Sequence, residues 1–295
     1  MSAVTAETRA RLATLPTPAL WLIAARLKTV SLSQVPVLAG GWLAGAGLRP
    51  GVLIAAMVAT AAIQIGTNLW NDAADAARGV DAPDRLGPPR MTALGLLDGA
   101  AVRRAALASF GLAALAGLVL AAVGGWPIIA IGLVSLALGY FYSMGPLPLS
   151  GLPFGELLVI GFFGLVAVSG TGWLMGVDPL AARTLATGMM IGLPAAAVLM
   201  LNNHRDRVQD ARAGRRTLAI LVGPAASRLL YFAALLGALG FAAWFAPTPW
   251  LGLPAALALW LGHAIWHWPV SARLNRLLGQ TAGYQVLLLA VVAFA

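Results

Sequence analysis

The acidic residues of this sequence are few and gathered. Of 10 Asp and Glu in 295 residues, four (Asp72, Asp75, Asp81 and Asp84) lie within NLWNDAADAARGVDAPDRLGPPR, residues 68–90. A second group, LNNHRDRVQDARAGRR over 201–216, carries Asn202, Asn203, Asp206 and Asp210. Each group follows a long apolar run. Residues three or four apart share a helix face, so Asn68 with Asp72, Asn71 with Asp75, and Asn202 with Asp206 and Asp210 form ladders of hard oxygen donors. Such donors suit Mg²⁺, which binds through a few carboxylates and completes its shell with water and substrate phosphates. Absence of cysteine excludes thiolate sites, and the 3 histidines make zinc a poor fit. The candidate metal ligands are Asp72, Asp75, Asp206, Asp210, Asn68 and Asn202.

Carboxylates alone would repel a phosphate. Arg78, Arg85, Arg90, Arg205, Arg207 and Arg215 are interleaved with them and can fork onto phosphate oxygens while a metal bridges from the other side. Metal plus arginine is a diphosphate clamp. The competing explanation, ordinary solvated charges and helix caps, has to account for the same Asn/Asp spacing recurring 134 positions along the chain. It applies more readily to Asp84, Asp98, Arg207 and Arg212 taken singly.

The elements that must position these groups are apolar helices. With 60% hydrophobic and 10% charged residues and a mean hydropathy of +0.86, the chain reads as an all-α polytopic membrane protein. A spanning helix needs roughly 20 apolar residues. About nine runs qualify, near 30–48, 51–70, 104–124, 126–143, 153–176, 184–202, 227–246, 249–268 and 279–295. All but Arg49 and Arg183 of the 19 Lys and Arg fall on the side of the N-terminus, which predicts that both acidic groups face the cytoplasm. The net charge of +9 is thus assigned to topology and anion binding, and nucleic acid is excluded as a partner. No cleaved signal peptide is expected from the N-terminal residues. The whole chain, 1–295, reads as one integral-membrane domain, with 1–20 a cytoplasmic segment and 71–103 and 203–226 cytoplasmic active-site loops. Asp72 and Asp206, each just after an even-numbered span, suggest a doubled four-helix unit with the site between the halves.

The segment NDAADAARGVDAPDRLGPPR resembles the first aspartate-rich motif of UbiA-superfamily intramembrane prenyltransferases, and its GVD, DR and GPxR elements look most like the 1,4-dihydroxy-2-naphthoate polyprenyltransferases of menaquinone synthesis. NNHRDRVQDARAGRRTLAILVG, residues 202–223, resembles that branch's NNxRDxxxDxxxGKxTLxxxLG pattern, and WLIAARLKTVSLSQVPVLAG its WxxAxRPKTLxxxxxPVxxG opening, with Leu27 for proline. The resemblance implies a bundle of nine helices around a central cavity open sideways to lipid. It also implies Mg²⁺-dependent transfer, through two ions bridging the diphosphate, of a polyprenyl chain to an aromatic acceptor. Asp72, Asp75, Asp206 and Asp210 would be catalytic. Tyr142 joins them because YSMGPLP resembles the family's Tyr-containing turn, and Glu156 because a carboxylate early in the fifth span matches an acidic position of the naphthoate branch and is costly in a membrane. Substrate would be held by Arg26, Lys28, Asn68, Asn71, Arg78, Asp81, Arg85, Arg90, Asn202, Asn203, His204, Arg205 and Arg215. Trp70, Tyr140, Tyr142 and Phe163 could face an allylic cation. Many relatives carry a Lys or Arg shortly after the tyrosine, where Pro146, Leu147 and Pro148 stand here.

The expected reaction joins 1,4-dihydroxy-2-naphthoate to a polyprenyl diphosphate, giving a demethylmenaquinone, CO₂ and diphosphate, in a bacterial inner membrane with no obligatory protein partner. The alternatives are another acceptor (4-hydroxybenzoate, homogentisate, a chlorin or haem), a CDP-alcohol phosphotransferase, or a transporter. The phosphotransferase would keep its aspartates in one continuous motif. A transporter would carry ionisable groups near mid-span, where only Glu156 stands out.

Overall fold

The computed structural model describes residues 3–78, 86–142 and 149–295, excluding the side chains of residues 3–5, 28 and 78. The described residues form helices joined by turns and loops, with no strand. Helices α1 (Ala3–Ala13) and α2 (Thr17–Ala24) precede the bundle, which comprises α3 (Ser31–Leu43), α4 (Pro50–Arg78), α5 (Gly99–Gly124), α6 (Trp126–Phe141), α7 (Gly155–Val159), α8 (Ala167–Trp173), α9 (Ala182–Arg212), α10 (Leu218–Phe245), α11 (Gly252–His267) and α12 (Leu274–Ala293). A π-helical segment, Ile160–Val166, joins α7 to α8. Six helical stretches are long and apolar enough to cross a membrane, and Trp126–Phe141 is a shorter apolar helix. Together these make the chain an integral membrane protein.

Of the nine expected spans, those near 30–48, 126–143 and 249–268 hold shorter helices of 13, 16 and 16 residues, while two helices run well past their apolar runs. α4 has 29 residues and α9 has 31. At 1.5 Å per residue each is about 45 Å long, against a hydrocarbon core of about 30 Å. The surplus turns carry Asn71 to Arg78 and Asn203 to Arg212. These parts of the expected loops 71–103 and 203–226 are therefore helical, and the two acidic groups ride on rigid extensions of the membrane helices. Asp98 caps α5, accepting from the Ala101 amide at 2.7 Å.

α9 is the central post. Its apolar window is 72% buried, whereas that of α5 is 17% buried and faces outward. α4 packs along α5, and α9 along α10, the two closest pairs of the bundle; each acidic group sits at the end of the first helix of its pair. The approach of Ile160–Val166 to α9 depends on glycine: a Cβ on Gly164 would meet the Gly188 carbonyl oxygen at 2.5 Å and the Gly192 Cα at 2.8 Å. Gln34 and Gln285 act as polar glue, donating to the carbonyls of Met57 and Ile191. α10 is kinked at Gly223 (φ 80°, ψ 178°), from which Pro224 starts its longer arm.

Candidate active site

The ends of α4 and α9 face each other across a polar pocket. On the α4 side it is lined by Asn71 and Asp75, and on the α9 side by Asn202, Asn203, Asp206 and Asp210. Arg26, Arg90, Arg215 and Tyr142 also line it. Helical spacing explains the set: Asn71 and Asp75, and Asn202, Asp206 and Asp210, each recur four apart on one face.

The carboxylates are held by arginines. Arg90, from the segment before α5, forms a buried ion pair with Asp75 and reaches Asn71 Oδ1 at 3.4 Å. Arg215 follows Gly214, whose φ of 75° makes the turn after α9. Its guanidinium donates to Asp210 Oδ1 at 2.9 Å and lies 3.8 Å from Asp75 Oδ2, joining the two halves. The same turn is tied down by the Arg216 amide donating to the Gly151 carbonyl at 2.8 Å.

Arg26 is the one described non-glycine residue with positive φ (51°, with ψ 49°). A left-handed conformation costs an ordinary residue roughly 1–2 kcal/mol. This strained turn between α2 and the Leu27–Thr29 turn carries the Arg26 side chain into the pocket wall. Tyr142 lies one residue past α6; burial raises its phenol above the ordinary value, opposed by Arg215 and Arg26, so it stands as a neutral hydroxyl. Beside the pocket, buried Glu156 accepts from Asn203 Nδ2 at 2.9 Å, leaving Oε2 without a partner. Glu156 is in the first turn of α7, where the helix dipole favours a carboxylate.

Four residues expected at the site point elsewhere. Asp72 is buried, and its two oxygens accept from the amides of Met91 and Thr92 at 3.1 and 2.9 Å. Asn68 donates to the Ala25 carbonyl at 3.0 Å and to Thr29 Oγ1 at 3.1 Å. Both lie about 60° round α4 from Asn71 and Asp75, and they brace the segments that carry Arg90 and Arg26. Arg205 is fully buried, forking onto Asp206 and donating to Asn202 Oδ1 at 2.7 Å. It locks two pocket residues from behind. His204 turns to α10, with Nδ1 2.7 Å from Ser227 Oγ. Of the aromatic candidates only Tyr142 lines the pocket. Trp70 packs on Tyr140 at 5.3 Å, and Phe163 packs into a small core with Leu32 and Ala195. Asp81, Asp84, Arg85 and Pro146 to Pro148 lie outside the described residues, as do the side chains of Lys28 and Arg78.

Sequence reasoning missed Asn275. Its Oδ1 accepts from Arg205 Nη1 and its Nδ2 donates to the Leu86 carbonyl at 3.0 Å, tying α12 to α9 and to the segment that leads to Arg90. A lone Asn in the first turn of an apolar helix carried no signal for this. Gln209 also lines the pocket, one position out of the four-residue ladder.

The donor set is all oxygen and amide, which fits a hard cation. Among the described residues no three acidic or imidazole groups converge as a closed metal cage. A Mg²⁺ ion here would need substrate oxygens to complete its shell, as is usual for phosphate-bound Mg²⁺.

Comparison with known proteins agrees with this architecture. The pattern of the UbiA prenyltransferase family matches residues 33–283. The chain is 41% identical over 247 residues to 1,4-dihydroxy-2-naphthoate octaprenyltransferase of Mycobacterium tuberculosis, covering 80% of this chain and 82% of that one. With the Bacillus subtilis enzyme of the same name the identity is 34%, covering 79% and 76%. In fold it is similar to the apo UbiA homologue of Aeropyrum pernix (TM-score 0.69, 13% identity, 90% and 98% covered) and to an Archaeoglobus fulgidus UbiA homologue bound to GPP and Mg²⁺ (TM-score 0.59, 15% identity, 92% and 99% covered). With the family pattern matched over residues 33–283 and 41% identity to a relative covered to 82% of its length, the chain belongs to the UbiA prenyltransferase family.

Proposed function

We propose that the chain transfers a polyprenyl group from its diphosphate to 1,4-dihydroxy-2-naphthoate, with loss of CO₂ and diphosphate, giving a demethylmenaquinone. The observation that carries this reading is the pocket in which Asp75, Asp206 and Asp210 meet Arg26, Arg90 and Arg215; the naphthoate acceptor is taken from the relatives' activity. Bound Mg²⁺, in two ions, would neutralise the diphosphate as it leaves. The ligands of choice are Asp75, Asp206 and Asp210 with Asn71 and Asn202.

The protein groups divide the remaining work. Arg26, Arg90 and Arg215 hold diphosphate oxygens and stabilise charge that grows as the C–O bond breaks. Tyr142, which lines the pocket, offers a neutral hydroxyl to the substrate. Glu156, fixed by Asn203, accepts a hydrogen bond from an acceptor hydroxyl and raises electron density on the ring carbon that forms the new C–C bond. The acceptor's carboxyl leaves from that carbon as CO₂, so its bonding pair restores aromaticity. In this reading nine helices span a bacterial inner membrane, the pocket faces the cytoplasm, the bundle opens sideways for the prenyl tail, and no protein partner is required.

The test is an in vitro transfer assay in detergent with Mg²⁺ and radiolabelled geranylgeranyl diphosphate, offering 1,4-dihydroxy-2-naphthoate and 4-hydroxybenzoate in parallel. Prenylation of the naphthoate with CO₂ release is expected. Transfer to 4-hydroxybenzoate alone would overturn the acceptor assignment, and Mg²⁺-independent turnover would overturn the clamp.

A further inference from the structure

Beside the α9 ladder, where His204 meets α10, three buried nitrogens have no hydrogen-bond partner: His204 Nε2, Arg207 Nη1 and Arg228 Nε. At about 100° per residue, His204 lies roughly 120–160° round the helix from Asn202, Asp206 and Asp210, and Arg207 roughly 60° from Asp210 on the His204 side. They face the start of α10's longer arm, where Ser227 meets His204 and Arg228 follows. Both guanidiniums stand within electrostatic range of the His204 ring. Neither is paired with a carboxylate among the described residues, and the nearest acid in sequence, Asp206, is forked by Arg205. Arg228 also lies 5.6 Å from the ring centroid of Trp266 on α11. A buried charged donor left without an acceptor is costly, and two together in one place call for an anion.

We infer that Arg207, Arg228 and His204 form a binding site for an anionic phosphodiester lipid with a hydroxylated headgroup, separate from the prenyl-transfer pocket. The two guanidiniums match phosphate oxygens. The hydroxyl requirement comes from His204: Ser227 donates its own hydrogen to the Pro224 carbonyl at 3.0 Å, so His204 carries its hydrogen on Nδ1 and leaves Nε2 as an acceptor. A glycerol hydroxyl supplies the missing donor. The ligand is a lipid because apolar surface adjoins the site: Val208 and Leu229, the chain neighbours of Arg207 and Arg228, are both exposed. Trp266, half-exposed and stacked under Arg228, suits the membrane interface.

Native mass spectrometry of the full-length protein in detergent, titrated with phosphatidylglycerol, phosphatidylserine or phosphatidylcholine, tests this. One equivalent of phosphatidylglycerol should bind at least tenfold more tightly than phosphatidylcholine, with phosphatidylserine between them. R207Q/R228Q should reduce phosphatidylglycerol binding to the phosphatidylcholine level. R207K/R228K, which keeps the charge and guards against a folding defect, should retain part of the preference. R103Q/R104Q removes the same charge from the exposed face of α5 and should leave binding unchanged. Equal binding of the three lipids, or equal loss in the R103Q/R104Q control, would overturn the site. Displacement of the lipid by glycerol 1-phosphate at equal concentration would assign the site to a soluble phosphate ester and overturn the lipid assignment. None of these readouts depends on prenyl transfer.

Discussion

Asp210→Asn separates the chemical use of the pocket from its structural use. The substitution keeps the side chain's shape and its place on the α9 ladder, and removes one negative charge. Asp210 accepts a 2.9 Å bond from Arg215, whose side chain is 27% exposed. A pair with one partner that wet is worth at most about 1 kcal/mol, and the amide oxygen of Asn still accepts from the same guanidinium. Loss of this pair should therefore shift unfolding in detergent by no more than that. Turnover should fall much further. Loss of one fixed charge at a centre that stabilises a leaving anion typically costs 10²–10³ in rate, about 3–4 kcal/mol at the transition state. The assay is initial rate against Mg²⁺ and prenyl diphosphate concentration, with thermal unfolding of the same preparation. A variant whose kcat stays within threefold of the parent at saturating Mg²⁺ would refute the assignment of Asp210 as a ligand of the metal–diphosphate unit. A variant that loses activity and stability in parallel would make it a scaffold residue.

Asp72→Asn should behave in the opposite way: its carboxylate is spent on the Met91 and Thr92 amides, so a stability loss of about 1–2 kcal/mol should appear in thermal unfolding, with activity lost only as the segment carrying Arg90 loosens. Asn275→Ala removes a partner from buried Arg205 and from Leu86; about 1–3 kcal/mol of stability should go, and the KM for prenyl diphosphate should rise more than kcat falls. Arg26→Gly relieves the left-handed strain, a gain of about 1 kcal/mol, yet should weaken donor binding about tenfold, read by isothermal titration with a diphosphate analogue. Gly192→Ala places a Cβ 2.9 Å from the Gly164 Cα and 3.0 Å from the Ile160 carbonyl oxygen; the resulting separation of α9 from the π-helical segment should cost about 1–3 kcal/mol, measured by folded yield and unfolding temperature.

The sequence made the membrane helices legible because lipid imposes one periodic demand, some 20 apolar residues at a time, and this chain meets it with little interruption. It also made the facing of Asn71 with Asp75, and of Asn202 with Asp206 and Asp210, legible, since four-residue spacing is a local property. Which of two adjacent ladders on α4 faces inward was not legible. Asn68 and Asp72 have the same spacing as Asn71 and Asp75 and sit about 60° round the same helix. Rotation of α4 is set by its packing against α5 and α2, which depends on contacts remote in sequence. The same reason hid Asn275, whose partners are 70 and 189 positions away, and turned His204 and Arg205 out of the pocket.

The buried arginines give the pocket a particular economy of charge. Asp75 is matched by Arg90 and approached by Arg215, Asp210 by Arg215, and Asp206 by Arg205, so the site holds both signs at close quarters without a large net field. Burying either sign alone would carry a heavy desolvation cost, while a paired arrangement keeps it small. A metal–diphosphate ligand brings the same two signs. On binding, carboxylates can pass from arginine to metal and guanidiniums from carboxylate to phosphate, so ionic contacts are exchanged and few are lost. A metal without diphosphate would have to strip the arginines from their carboxylates with nothing to receive them, and a diphosphate without metal would meet carboxylates it repels. The arrangement thus favours the two together over either alone, and D75N, by releasing Arg90, should weaken this coupling: diphosphate-analogue binding should become less dependent on Mg²⁺ than in the parent protein.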